Sequence, residues 1–406
     1  MRWASTVSEE PRFEVALAEA AETVRGRLGG DRPDLAVVFL SEHHRSSHAR
    51  LGDLARRELP GALLIGCSAK SVIGGGREVE GRPGLSLTVS SLPGVELRPF
   101  HLELDDLERL GASPAGHEGS AGAELFGASP GERRPFILLS DPFSIDAERL
   151  VRALDRLFPG SRKVGGVASG GRQPGENVLL LGDRVHRSGA EGLTLGGPIE
   201  LDTIVAQGCR PIGAPMFVTR CRGNLLQEVD GRRPVEVLQE LYGEASPRDQ
   251  ELFRSSLFLG IEMRESQSEY QQGDFLVRNL LGVDEESGAV AIGALLHPAQ
   301  VVQFHLRDAE TSAQDLERRL ASYREAAPAG ALPEGALLFS CLGRGEHLYG
   351  RPDHDSEAFR RHLGEVPLGG FFCNGEIGPV QGTTFLHGYT SAFGIFRAPS
   401  RAPSSA

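Results

Sequence analysis

The chain has 406 residues, 40% hydrophobic and 24% charged, with a formal net charge of −12. That length suffices for two domains with sizeable cores, and the composition is that of an ordinary globular protein. An acidic balance without a dense basic cluster argues against a nucleic-acid partner, which needs a positive stripe to replace phosphate counterions. No apolar run is long enough to span a bilayer, and Glu9, Glu10 and Glu14 are out of place in a signal peptide. Cys67, Cys209, Cys221, Cys341 and Cys373 are odd in number and lack CxxC spacing, so reduced thiols and a cytoplasmic location are expected, with no membrane contact.

In chain order, residues 13–28 put Phe13, Leu17, Ala20, Ala21, Val24 and Leu28 on one helical face, and Gly29-Gly30 stops the helix. Residues 35–40 (LAVVFL) form a continuous apolar run, the pattern of a strand buried on both faces. A helix over 49–59 ends at Pro60-Gly61, a strand follows at 63–67, then Ser68, glycines and a strand over 85–89. The same order returns as strand 136–139, helix 145–158, strand 164–167, the turn at Ser169 and a strand from 192. It returns again as strand 336–339, helix 356–363, strand 370–373, the turn at Asn374 and strand 392–396. The spacing therefore predicts one strand–helix–strand unit repeated three times, in an α/β protein of mixed sheets flanked by helices.

A different region separates the second and third units. Helices are expected over 234–242 and 249–255, a strand over 257–261, and a hairpin whose arms are 275–280 and 289–292. A strand over 301–306 precedes a helix capped by Thr311 or Ser312. Spacers rich in Gly, Ala or Pro lie at 111–131 and 327–335, and the tail 398–406 has a disordered composition. Near the C-terminus, the apolar run 370–373 meets the polar turn Asn374-Gly375-Glu376. A carboxylate at a strand end is costly to bury without a partner, so Glu376 is either a hydrogen-bonded staple or part of a site.

Several stretches then acquire a common meaning. LIGCSAKSVIGGGREVEG (64–81), KVGGVASGG (163–171) and AQGCRPIGAP (206–215) resemble the N-terminal half of FIST proteins. FLVRNLLGVD (275–284), VQFHLRDA (302–309) and LLFSCLGRG (337–345) resemble the FIST C-terminal half. The resemblance implies a FIST N-terminal domain over 34–222 and a FIST C-terminal domain over 223–397, after an N-terminal helix within 1–33. The halves are expected to be related. It further implies an intracellular sensory module that binds a small polar ligand, an amino acid among the candidates. With the two halves filling the chain, a separate signalling protein is expected to read it.

Ligands of open α/β sheets sit beyond the carboxyl ends of strands. Those ends carry Cys67-Ser68, Ser169, Ser340-Cys341 and Cys373-Asn374, with Glu376 close behind. Small residues there let backbone N–H groups approach an anion. Arg278, Arg307 and Arg344 are candidates to grip a carboxylate bidentately, with Asn279 beside the first of them. The competing reading is that the glycines serve turns and the charges pair with one another; Arg307-Asp308 in particular fits an ion pair or a helix cap. An enzyme reading would use Cys341 or Cys373 as nucleophile, His387 as base and Glu376 as orienter. A scaffold without a small ligand is the third alternative. His43, His44 and His48 lack the spacing of a metal site and are expected on a solvated loop; neither metal nor cofactor is expected.

Overall fold

The computed structural model describes residues 1–112, 122, 125–129, 131–264, 269–327 and 332–399. The spacers at 111–131 and 327–335 fall partly outside these residues, as does the tail beyond 399. The protein is α/β, with mixed sheets and helices. Two compact units emerge: Met1–Val205 with Arg318–Leu386 and Thr390–Ala406, and Ala206–Glu317 with His387–Tyr389.

The first unit holds the threefold repetition. Its first repeat is β1 (Arg2–Ser8), α1 (Phe13–Leu28), β2 (Leu35–Ser41), α2 (Leu51–Glu58), β3 (Leu63–Ala69), β4 (Ser71–Gly74), β5 (Arg77–Val79) and β6 (Leu85–Ser91). The second is β7 (Glu96–Leu102), α3 (Leu104–Ala112), β8 (Phe136–Ser140), α4 (Ala147–Leu157), β9 (Lys163–Val167), β10 (Leu179–Leu181), β11 (Arg184–His186) and β12 (Ala190–Gly196). The third opens with β13 (Glu200–Gln207). It is then interrupted by β14 (Cys209–Arg222), β15 (Leu225–Val229), α5 (Pro234–Glu244), α6 (Pro247–Ser255), β16 (Leu257–Glu262), β17 (Phe275–Val283), β18 (Val290–Ile292) and β19 (Val301–Arg307). It resumes with α7 (Ala309–Ala326), β20 (Gly335–Cys341), α8 (Glu346–Tyr349), α9 (His354–Leu363), β21 (Leu368–Cys373), β22 (Glu376–Val380), β23 (Thr383–His387) and β24 (Thr390–Arg397).

Each repeat builds a six-stranded sheet around a parallel pair: β2 with β3, β8 with β9, β20 with β21. An antiparallel strand flanks each pair (β6, β12, β24), and the opening strand of the repeat lies beyond it. The sixfold count is completed by a hairpin from another repeat. β10–β11 extends the first sheet, β22–β23 the second and β4–β5 the third. This cyclic exchange interlocks the three sheets. One glycine recurs at the same register position in all three. Gly66 faces Val38, Gly165 faces Leu138 and Gly370 faces Leu338, and a Cβ at any of them would stand 1.9 Å from the facing carbonyl oxygen.

Strand alternation assigns each side chain to one of two cores. Phe39, Ile137, Val164, Phe339 and Phe371 point into a central core shared by all three sheets. Val38 and Leu40 point outward onto Phe13, Leu17, Val24 and Leu28 of α1, and Phe136 and Leu138 onto Leu150 and Leu154 of α4. Burial on both faces is why 35–40 reads as an unbroken apolar run. The second unit is a closed barrel in the order β14-β15-β18-β17-β16-β19, filled by Val218, Leu226, Leu259, Val290, Val302 and Phe304. The expected hairpin is β17–β18.

Two sequence expectations are corrected. Of the two cap readings the structure has Asp308, whose carboxylate accepts the Thr311 N–H at 2.8 Å and hydroxyl at 2.9 Å; Thr311 and Ser312 lie inside the helix. His43, His44 and His48 occupy a 3-10 segment, Glu42–Arg50; His43 is exposed as expected, but His44 and His48 are not solvated. His44 and His48 are each 1% exposed because this segment packs against β2, β3 and α2, with the His44 ring edge-on to Phe13 of α1.

Candidate functional site

The third sheet concentrates the buried chemistry. After β20 the chain turns through Gly343-Arg344-Gly345. Gly345 adopts φ +72°, and a Cβ there would collide with the Glu80 carboxylate 2.4 Å away. That carboxylate accepts the Glu346 N–H at 2.9 Å. The turn sends Arg344 inward to complete burial. Its guanidinium meets Asp355 on α9 through two parallel bonds, Nε to Oδ2 at 2.9 Å and Nη2 to Oδ1 at 3.0 Å. This is the fork geometry that makes arginine–carboxylate pairs strong. Asp355 also accepts from Ser340 at 3.3 Å, from His354 Nδ1 at 3.1 Å and from the Ser391 hydroxyl. Burial opposes its ionisation, but Arg344 overrides burial and holds the carboxyl well below the usual range. The Tyr349 ring lies under the guanidinium and stacks on His354.

Glu78, on β5 from the first repeat, enters the same cluster. Its Oε1 accepts the Ser356 N–H at 2.8 Å and hydroxyl at 2.9 Å. Burial, reinforced by the neighbouring Asp355 charge, pushes it up to about 8. Glu78 Oε2 and Arg344 Nη1 are buried without a hydrogen-bond partner. Ser356 also borders a cleft of about 270 Å3, together with Trp3, Arg27, Phe359, Arg360 and Glu365.

At the start of β22, just past the turn after β21, Glu376 is fully buried. Its Oε2 accepts the Thr390 N–H at 3.1 Å and hydroxyl at 2.9 Å, and its Oε1 lies 3.4 Å from Cys373 Sγ. Burial pushes Glu376 up to about 8. Cys373 is raised too, first by burial and then by Glu376, the reverse of what a nucleophilic thiol needs. Cys341 lies opposite Cys373 in the parallel register and is 9% exposed.

The three predicted turns converge. Ser169 N–H donates to the Ser68 carbonyl at 3.3 Å, and the Ser169 hydroxyl donates to the Phe372 carbonyl. Asn374 donates its N–H to Val167 O at 3.0 Å and its side-chain amide to Ala168 O at 2.8 Å. Ser68 Oγ accepts the Val178 N–H at 2.9 Å. Cys67 packs in the central core, its thiol raised by burial and then by Glu191. Thus Cys67, Ser68, Ser169, Ser340, Cys341, Arg344, Cys373, Asn374 and Glu376 all belong to the first unit. Arg278, Asn279 and His387 belong to the second. There Arg278 donates to Val277 O at 3.1 Å, Asn279 accepts from the Tyr389 hydroxyl, and Arg307 lies over the Tyr389 ring. Glu78, Asp355, Ser356 and Tyr349 have no periodicity or motif in the sequence to mark them beyond the polar opening of α9, DHDSE (353–357).

Family models match the FIST N domain over residues 34–232 and the FIST C domain over 234–379. The chain belongs to the FIST family. FIST domains are regarded as sensory domains of signal transduction. An uncharacterized Mycobacterium tuberculosis protein is 38% identical over 398 residues, spanning 98% of this FIST chain and 100% of its own. An uncharacterized Mycobacterium bovis protein is 35% identical over 398 residues, covering 98% of this chain and 99% of its own. F-box only protein 22 of Pongo abelii shares 32% identity over 105 residues, a quarter of each chain. No helix of the described residues is long and apolar enough to cross a membrane.

Proposed function

We propose that this FIST protein is a non-catalytic sensor of a small polar ligand carrying an anionic group, an α-amino acid being the class that fits best, and that a separate signalling protein reads it. The observation that carries this is the chemistry of the cleft on α9. Two guanidinium-bearing residues, Arg27 and Arg360, and one carboxylate, Glu365, border a hollow walled by Trp3 and Phe359. One sign of charge suits a ligand carboxylate and the other an ammonium group. Ser356 borders this hollow and holds Glu78, so an occupant that shifts α9 acts directly on the buried Glu78–Asp355–Arg344 cluster.

Thermal-shift measurements with the common amino acids and small carboxylates test it. A selective ligand raises the melting temperature, and Arg360→Ala, at an exposed position, abolishes the rise without lowering the unliganded melting temperature. No stabilisation by any compound, with a protein partner captured stably in its absence, overturns the sensor and favours a scaffold. A second reading has the ligand beside the Glu78–Asp355–Arg344 cluster, where Arg344 Nη1 and Glu78 Oε2 are buried polar atoms without a hydrogen-bond partner. A shift that survives Arg360→Ala and disappears in Glu78→Gln identifies that place instead.

A further inference from the structure

The second sheet holds a different cluster. His101 on β7 and Glu191 on β12 face each other across an antiparallel pair, and His186 comes from β11, the hairpin that extends the first sheet. The two imidazoles stack with centroids 3.8 Å apart. Glu191 Oε1 lies 4.0 Å from His101 Nδ1 and 4.0 Å from His186 Nε2. One ligand atom from each residue falls within 4.8 Å of the others. The Glu191 side chain is 0% exposed, and neither of its oxygens has a hydrogen-bond partner. His101 Nδ1 is likewise buried and without a hydrogen-bond partner, while its Nε2 lies 3.0 Å from Glu103 Oε1.

We infer that His101, His186 and Glu191 form a binding site for a divalent transition-metal ion of the zinc class. Two imidazole nitrogens and one carboxylate are a common donor set for such ions, with a further position left for water. Zinc bonds of about 2.0–2.1 Å in tetrahedral geometry bring ligand atoms to about 3.3 Å of one another. Closing the cluster around an ion therefore requires the ligand atoms to draw together from within 4.8 Å and the two stacked rings to rotate apart, so that each in-plane lone pair points at the ion. Glu103, bonded to the remote nitrogen of His101, is the outer carboxylate that fixes tautomer and ring orientation in metal-bound histidines. Its own second partner is the Ser188 hydroxyl at 2.8 Å. Gly189 adopts φ +83°, and a Cβ there would stand 3.0 Å from His101 Cε1 and 2.2 Å from the Leu102 carbonyl. The backbone is thereby kept clear of the ring. Both histidines are partly exposed, His101 at 19% and His186 at 23%, which gives an ion a way in. A buried carboxylate facing two imidazole nitrogens with no hydrogen bond of its own is an expensive arrangement for packing alone; a cation at their centre satisfies all three groups.

The site is independent of the proposed amino-acid cleft, and its test does not depend on finding that ligand. Full-length protein stripped with a chelator is titrated with Zn2+ in competition with a chromophoric chelator, and with Co2+ followed by visible absorption. One equivalent of Zn2+ and a Co2+ spectrum with ligand-field bands are expected. The double variant His101→Ala/His186→Ala and the isosteric Glu191→Gln each lose the tight equivalent, whereas His297→Ala, at an exposed histidine of the barrel, keeps it. The wild-type melting temperature rises with Zn2+ and that of the double variant does not. Absence of a stoichiometric tight ion in the wild type, or its retention in the double variant, overturns the assignment. Because the two histidines are partly exposed, the double variant remains informative if Glu191→Gln fails to fold.

Discussion

Two buried carboxylates in the sheet unit meet opposite fates. Asp355 in the third sheet is gripped by the Arg344 fork and by Ser340, Ser391 and His354. Glu191 in the second sheet is equally buried, yet two neutral-capable imidazoles face it and no donor reaches it. A carboxylate whose demands are met from within the chain stabilises a conformation and can relay a change in its surroundings. One whose demands are unmet leaves room for something from outside. The contrast separates a conformational element, built into α9 and the turn at Arg344, from a place for an ion.

Arg344 is where the largest effect is expected. Arg344→Met leaves Asp355 buried without its cation, and removing one partner of a buried pair typically loses about 3–5 kcal/mol. A urea midpoint that falls accordingly is expected. The double variant Arg344→Met/Asp355→Asn recovers a substantial part of the loss, since replacing both partners relieves the stranded charge. A single variant as stable as the wild type would show that the pair does not hold the turn.

Glu376 is an intermediate case, partnered by a hydroxyl and an amide rather than by a cation. Burial raises it from 4.5 to about 8 in the fold, so between those values the folded state binds the proton that the unfolded chain has released. Stability from this group is therefore complete below about pH 4.5 and is lost as pH rises through about 8. Glu376→Gln keeps the shape and removes the titration. Across pH 5–8 its stability should decline less than that of the wild type, by on the order of a few kcal/mol, as read from urea midpoints. Parallel pH profiles for the two proteins would exclude an ionisable role for Glu376.

How much of this was legible depends on the distance over which each feature is specified. Helix α1 and strand β2 were readable because their burial follows a local period, and the threefold unit because three such periods recur. The exchanged hairpins were not. A three-residue strand such as β10 carries no periodicity, and its partner β3 is chosen by the topology of the whole unit. The charge cluster was half visible: Arg344 and Glu376 stood out as charges beside apolar runs. Glu78 did not, because its bond to Ser356 joins residues 278 apart in the chain. Likewise His101 and Glu191 become neighbours only when β7 and β12 pair. The three histidines close in sequence form the more conspicuous local pattern, yet the fold uses His44 and His48 as buried packing.

The smallest expected effect lies at His101 and isolates the second carboxylate most cleanly. In metal-free protein the one hydrogen bond the ring gives up is that to Glu103, whose side chain is 48% exposed, and such a surface pair contributes about 0–1 kcal/mol. Its stacking on His186 is also lost, another modest term. His101→Ala should therefore shift the urea midpoint little in the presence of a chelator, in contrast to Arg344→Met. With saturating Zn2+ the gap between variant and wild type should widen, because only the wild type gains the binding contribution RT ln(1 + [L]/Kd). A large chelator-independent loss in His101→Ala would instead show that the imidazole stack is structural, and would place both buried carboxylates in the same class.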